Sequence, residues 1–223
     1  MVTKVKICGL KTAEAVAAAV AGGADYVGFV FYEPSPRNIA PEVARALARQ
    51  VRGRAQVVAL FVDPDDSLLD KVVAEVNPDL IQLHGGETPE RVAAIRQRCG
   101  RPVMKAVRVE TRADAEVALQ YLDAADLIVF DAKAPASFQE LLPGGNGMAF
   151  DWRALLGIRD KVPFMLSGGL TPENVAEAIR LTTAEAVDVS SGVEVRPGEK
   201  DPERIRRFLA AVKAPVTAPA NGQ

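Results

Sequence analysis

Val2-Thr3-Lys4-Val5-Lys6-Ile7-Cys8-Gly9-Leu10-Lys11-Thr12-Ala13-Glu14 joins a β-like run, a glycine turn and a helix start in quick succession. Residues 2–7 are rich in strand formers, and Thr12 with Glu14 opens an alanine-rich helical stretch over 12–21. The same unit then recurs. Short apolar runs at 26–31, 57–61, 80–83, 103–107, 127–130, 164–166 and 187–189 alternate with helical segments. Those segments cover 41–52, 67–76, 89–98, 112–122, a stretch from Trp152, 172–180 and 202–212. Alternating strands and helices imply an α/β fold with a parallel sheet, and apolar strands imply that both its faces are covered. About eight units approach the ~250 residues of a closed eightfold barrel. An open doubly wound sheet has the same local pattern, but the count and the lack of a second domain favour closure. The expectation is one (β/α)8 barrel over residues 1–213 and a disordered tail over 214–223.

With 223 residues, 48% hydrophobic and 25% charged, the chain can bury the core of a soluble globular domain. A formal net charge of −2 gives no general attraction to nucleic acid or acidic membranes. No apolar stretch approaches the roughly 20 residues of a membrane helix, and with a strand-like start no signal peptide is expected before the fold. Two cysteines make no disulfide framework, and one histidine leaves few nitrogen ligands for zinc. A cytoplasmic protein without metal or cofactor is expected, monomeric or homodimeric.

Barrels of this kind carry reactive groups where strands run into their following loops. Those positions hold Cys8, Tyr32 with Arg37 beyond it, Asp63, His84, Arg108, Asp131, Ser167-Gly168-Gly169 and Ser190-Ser191-Gly192. The strand starts read as blander. The only histidine and one of two cysteines thus gather at one rim. Cys8 alone would read as a packing residue, but Gly9 makes a turn that exposes the thiol at the rim. Cys99, before Gly100 at a helix end, reads as structural. Asp131 reads as an Asx-turn residue, a partner of Lys133, or an acid beneath the long loop that follows it. His84 is a satisfied structural residue or a substrate contact. Arg37 offers a planar fork to a carboxylate, or is a surface arginine paired with a glutamate. The glycine-bearing loops Gly168-Gly169 and Ser190-Ser191 suit a phosphate, and otherwise are tight turns.

So placed, these residues make the chain resemble the phosphoribosylanthranilate isomerases of tryptophan biosynthesis, from Lys4 to about Phe208. The resemblance rests on Lys6-Ile7-Cys8-Gly9-Leu10, Phe31-Tyr32 with Ser35-Pro36-Arg37, Leu60-Phe61-Val62 and Gln82-Leu83-His84-Gly85. It continues through Lys105-Ala106-Val107-Arg108-Val109, Phe130-Asp131, Phe150-Asp151-Trp152, Ser167-Gly168-Gly169-Leu170 and Asp188-Val189-Ser190-Ser191-Gly192-Val193-Glu194. It implies a single (β/α)8 TIM barrel that needs no cofactor and performs an Amadori rearrangement. The substrate would be N-(5'-phosphoribosyl)anthranilate and the product 1-(2-carboxyphenylamino)-1-deoxyribulose 5-phosphate. It also implies Cys8 as general base, Asp131 as general acid, Arg37 on the anthranilate carboxylate, and phosphate held by backbone near Gly169 and Ser191. One departure is the lid. It reads Gly144-Gly145-Asn146-Gly147-Met148, where the family usually carries a lysine last.

In such a reaction an acid protonates the ribose ring oxygen and a base removes the adjacent carbon-bound proton. Asp131 is therefore expected to hold a proton above the ~3.9 of free aspartate in a water-poor pocket. Cys8 is expected as a thiolate favoured by nearby cations such as Lys6 or Arg108, or by local dipoles. Two other readings remain. The related histidine-pathway phosphoribosyl isomerase ends its first strand in aspartate, so Cys8 argues against it. A non-catalytic phosphometabolite-binding barrel would not need both Cys8 and Asp131.

Overall fold

Eight parallel strands close into a ring. They are Lys4–Cys8 (β1), Tyr26–Phe31 (β2), Gln56–Phe61 (β3), Leu80–Leu83 (β4), Val103–Val109 (β5), Leu127–Ala132 (β6), Phe164–Leu166 (β7) and Ala186–Val189 (β8). Closure is made by β1 against β8, with Lys6 opposite Asp188 and Ile7 opposite Val189. The computed structural model describes residues 3–133 and 150–214. The expected lid motif over 144–148 and the tail from residue 215 lie outside the described residues.

The helices are Ala13–Ala21 (α1), Pro41–Val51 (α2), Asp66–Val76 (α3), Pro89–Cys99 (α4), Arg112–Glu116 (α5), Val175–Thr182 (α6) and Pro202–Lys213 (α7). Thr12, Asp65, Thr88, Thr111 and Asp201 each accept from an early backbone N–H, and each such cap contributes about 1 kcal/mol. Proline starts α2, α4 and α7, where a missing N–H costs nothing.

Three expected helices come out shorter. The 112–122 stretch tightens after Glu116 into a 3-10 turn, Val117–Tyr121, whose Tyr121 hydroxyl donates to the Glu87 carbonyl at 2.9 Å. The stretch from Trp152 is a single 3-10 turn, Trp152–Leu155. The 172–180 segment becomes helical only at Val175, because Asn174 bonds Thr171 N and Gly169 O with its side chain. An antiparallel hairpin, Glu194–Arg196 (β9) and Glu199–Lys200 (β10), intervenes between β8 and α7 and was not anticipated.

Strand alternation divides the core. Ile7, Phe29, Phe61, Ile81, Phe130 and Val187 face outward and pack beneath the helices. Tyr26, Val58, Met104, Ala106, Val129, Met165 and Ala186 face inward and plug the lower barrel. Each Val, Ile, Phe or Met among them contributes roughly 1.5–3 kcal/mol by burial. Above the plug, Cys8, Val30 and Leu60 form a small apolar cluster of their own.

The strand starts are not bland. Asp25, Asp79 and Asp126 each precede an even-numbered strand and accept from the first N–H groups of the strand before it. The contacts are Val5 N at 2.8 Å, Val57 N at 2.7 Å and Val103 N at 2.8 Å. Their own backbone N–H groups return a bond to the same three valines. This repeated staple ties neighbouring strands at the end of the barrel away from the rim chemistry.

Candidate active site

Cys8 is the last residue of β1 and Asp131 the last but one of β6, so both lie at the C-terminal mouth. Both face inward. Cys8 belongs to the inner cluster with Val30 and Leu60, and Asp131 follows the inner Val129 by one strand period. Both are buried, at 4% exposure each.

Lys6 lies one period below Cys8 and is fully buried, with its Nζ 3.0 Å from Asp188 Oδ1. Gly28 on the neighbouring strand leaves room for both side chains. A Cβ there would lie 3.2 Å from Cys8 Sγ and 3.2 Å from Lys6 Cε. Burial alone would depress the Lys6 ammonium, but Asp188 and Cys8 override it and hold its pKa above the ordinary value. The Cys8 thiol is pushed up by burial. Lys6 and Lys200 pull it back, while Asp188 opposes them. The expectation of a resting thiolate favoured by Lys6 or Arg108 is therefore corrected. Desolvation outweighs the cations, Lys6 and Lys200 rather than Arg108 are the main ones acting on the sulfur, and Cys8 rests as a thiol.

On the other wall, His84 Nε2 lies 3.0 Å from Asp131 Oδ2, and Gln82 Nε2 lies 3.2 Å from His84 Nδ1. Asp131 Oδ1 accepts from Ala132 N at 3.0 Å. Lys133 pairs instead with Asp114 at 3.4 Å, so it is not the partner of Asp131. Arg108 Nη2 lies 3.4 Å from the His84 carbonyl. The turn after His84 is held from beside it, since Glu87 accepts from Asp63 N and Gly85 N, and Asp63 accepts from Gly86 N. Glu87 is closed by Lys105 at 2.9 Å on the outward face of β5.

Arg37 is buried at 5% exposure, not a surface arginine. Its Nε and Nη2 meet Glu194 Oε1 and Oε2 at 2.8 Å each, a bidentate pair that fixes the plane of the guanidinium. Lys200 joins from the hairpin, bonding Glu194 Oε1 at 2.7 Å, Ser190 O at 2.9 Å and Ser190 Oγ at 3.0 Å. Ser190 Oγ donates onward to the Cys8 carbonyl at 3.3 Å. Burial lowers the Lys200 pKa to about 8, against the pull of Glu194. Glu194 is raised by burial but held below its ordinary value by Arg37 and Lys200.

Gly168 and Gly169 follow β7 at positive φ, 86° and 63°. A Cβ on Gly168 would collide with the backbone nitrogen of Ala132, which closes the β7 turn against the end of β6. Ser191 and Gly192 enter a 3-10 turn after β8. Among the described residues, the N–H groups of Gly169, Ser191 and Gly192 make no hydrogen bond, which leaves backbone donors on two adjacent loops. Such donors suit an anion.

Asp188, Glu194 and Lys200 carry this architecture but were not singled out as site residues from sequence. Asp188 was readable, since it faces inward one period before Ser190. Lys200 was not, because it reaches Ser190 from a hairpin outside the strand–helix repeat. Among the described residues, no group of three His, Cys, Asp or Glu is arranged to hold a metal ion. The arrangement offers a thiol under cationic influence, a carboxyl joined to an imidazole, an oriented guanidinium and an anion cradle around one mouth.

Residues 5–211 match the family described as N-(5'-phosphoribosyl)anthranilate (PRA) isomerase. The chain is 58% identical to N-(5'-phosphoribosyl)anthranilate isomerase of Rhodospirillum centenum, over 96% of this chain and all of that one. A crystal structure of a phosphoribosyl anthranilate isomerase bound to reduced 1-(o-carboxyphenylamino)-1-deoxyribulose 5-phosphate superposes at TM-score 0.82. It is 38% identical over 95% of this chain and 98% of that one. Monomers of the dimeric phosphoribosylanthranilate isomerase of Thermotoga maritima superpose at TM-score 0.81, with 39% identity over 95% and 98%.

Proposed function

Because this chain belongs to the N-(5'-phosphoribosyl)anthranilate isomerase family, we propose that Cys8 and Asp131 are the base and acid of its Amadori rearrangement. The enzyme acts on a phosphorylated substrate in tryptophan biosynthesis. Asp131 donates a proton to the ribose ring oxygen as the C–O bond breaks, and the ring opens to a Schiff base. Cys8, once ionised, takes the proton from the adjacent carbon, and the resulting enolamine tautomerises to the ketone. What supports the reading is a sulfur and a carboxyl buried on the inward face of one mouth, each with its own polar partners.

Arg37, its plane set by Glu194, takes the anthranilate carboxylate. Gly168, Gly169, Ser190 and Ser191 take the phosphate through their loops, and His84 contacts the substrate beside Asp131. Lys6 and Lys200 stabilise the thiolate that Cys8 forms during turnover. The enzyme is a single domain of the cytoplasm, monomeric or homodimeric. No helix of the described residues is long and apolar enough to cross a membrane.

Purified protein incubated with fluorescent N-(5'-phosphoribosyl)anthranilate should make the signal decay, and Asp131→Asn should abolish the decay. Tight binding without decay in the unsubstituted protein would instead describe a phosphometabolite sensor.

A further inference from the structure

His84 is the only histidine in the chain, and it is wired at both ring nitrogens. Gln82, its partner at Nδ1, is fully buried one strand period below it. Its amide has one held end, since Oε1 has no hydrogen-bond partner. An amide held at both ends would be locked in one sense. This one takes its sense from the imidazole alone, because turning it by half a revolution exchanges donor and acceptor at nearly the same positions.

The two senses have different consequences for Asp131. When the amide N–H donates to Nδ1, the neutral ring carries its single proton on Nε2 and presents it to Asp131 Oδ2. Asp131 Oδ2 is then only an acceptor, which leaves Oδ1, already accepting from Ala132 N, as the one oxygen for an acidic proton. When Oε1 accepts, Nδ1 carries a proton. The Nε2–Oδ2 contact then holds one more, as a carboxylic acid facing the Nε2 lone pair or as imidazolium facing carboxylate. Only the second arrangement places the proton that the ring oxygen needs within the Nε2–Oδ2 contact.

We infer that Gln82 is a positioning residue that accepts from His84 Nδ1–H and so keeps the His84–Asp131 contact loaded with the catalytic proton. The inference rests on Asp131 being the acid. In turnover one proton leaves Oδ2 for the ring oxygen, which keeps the electron pair of the broken C–O bond. The carboxylate left behind faces the lone pair of Nε2, a repulsion relieved when Asp131 regains a proton from the solvent.

The charged groups around the pair do not duplicate this role. Arg108 on β5 reaches the His84 carbonyl, and Asp63 after β3 is turned to Gly86 N. The Lys105–Glu87 pair is closed on itself on the outer face, and Lys133 beyond β6 engages Asp114. Cys8, Lys6 and Asp188 belong to β1 and β8, and Ser167 just after the neighbouring β7 is neutral.

A sole histidine gives a single imidazole spectrum. Nitrogen-15 NMR of the resting protein between about pH 6 and pH 8, the range that brackets the ordinary histidine pKa, should show a protonated Nδ1. A lone-pair Nδ1 with a protonated Nε2 throughout overturns the inference without any variant. Gln82→Met, which keeps the volume and removes the acceptor, should lower the alkaline limb of kcat by about one pH unit, a tenfold smaller protonated fraction, with KM little changed. Gln82→Glu, an obligate acceptor, should keep Nδ1–H and move the limb upward. An alkaline limb that stays in place in both variants overturns the inference. If Asp131→Asn turns over normally, the acid assignment fails instead, and the spectrum of His84 still reads the role of Gln82.

Discussion

At the N-terminal end of the barrel, Asp25, Asp79 and Asp126 make one contact three times over, each closing on the first or second amide of the preceding strand. At the C-terminal end the strand-end side chains differ from strand to strand. Cys8 meets a buried ammonium, Asp131 an imidazole, and Arg37 a glutamate that also holds Lys200. Repetition suits a task that is the same for every strand pair, namely keeping neighbours in register. A chemical step needs distinct groups at distinct places around one substrate. The polar residues of one end thus hold strands in register, and those of the other are the groups we propose for the reaction.

That division can be broken by experiment. Cys8→Ala should lower turnover at least about a hundredfold, the lower bound for losing one positioned proton-transfer group. Its KM and melting temperature should change little. Near-normal turnover would remove Cys8 as the base.

Arg37→Ala should raise KM by about tenfold to a hundredfold, the weight of a charge-assisted hydrogen bond. It should also lower stability by about 3 kcal/mol, the low end for breaking a buried ion pair, because Lys200 stays on Glu194. This residue therefore tests where the division blurs. An unchanged KM would leave Arg37 as a structural partner of Glu194 alone.

The pH profile sharpens the contrast further. A base works deprotonated, so the rate should climb with pH as Cys8 ionises. Because burial holds that thiol above its ordinary range, the climb should continue beyond about pH 8.5. Lys200 loses its charge near pH 8 and withdraws one of the two cations that help the thiolate, which makes the climb shallower. A plateau already reached at neutral pH would show a resting thiolate.

The smallest effect belongs to the other end. Asp79→Ala should cost about 1 kcal/mol of stability through the lost Val57 contact, read as a lower melting temperature. Its kcat and KM should equal those of the unsubstituted protein. A clear loss of turnover would mean that the staples also shape the mouth.

The repeated change from strand to helix patterning made the eightfold closure legible, because each unit shows its period locally. Thr12, Pro41, Pro89 and Pro202 marked helix starts for reasons confined to one turn of backbone. The shortened segments were less legible. The 112–122 stretch has helical periodicity throughout, yet Tyr121 is drawn inward to Glu87, a contact made across the fold. The aspartate staples were hidden for the same reason, since each partner lies twenty or more residues away along the chain.

For the candidate site, sequence by itself determined which residues stand at the strand ends: Cys8, His84, Asp131 and the glycine loops after the last two strands. It did so because strand period and turn chemistry are local properties. The tertiary structure alone decided their company, setting Lys6 against Asp188, Arg37 against Glu194 and Lys200 against Ser190. It alone also decided that Cys8 rests as a thiol, because desolvation depends on everything packed around the sulfur and not on the residues beside it in the chain.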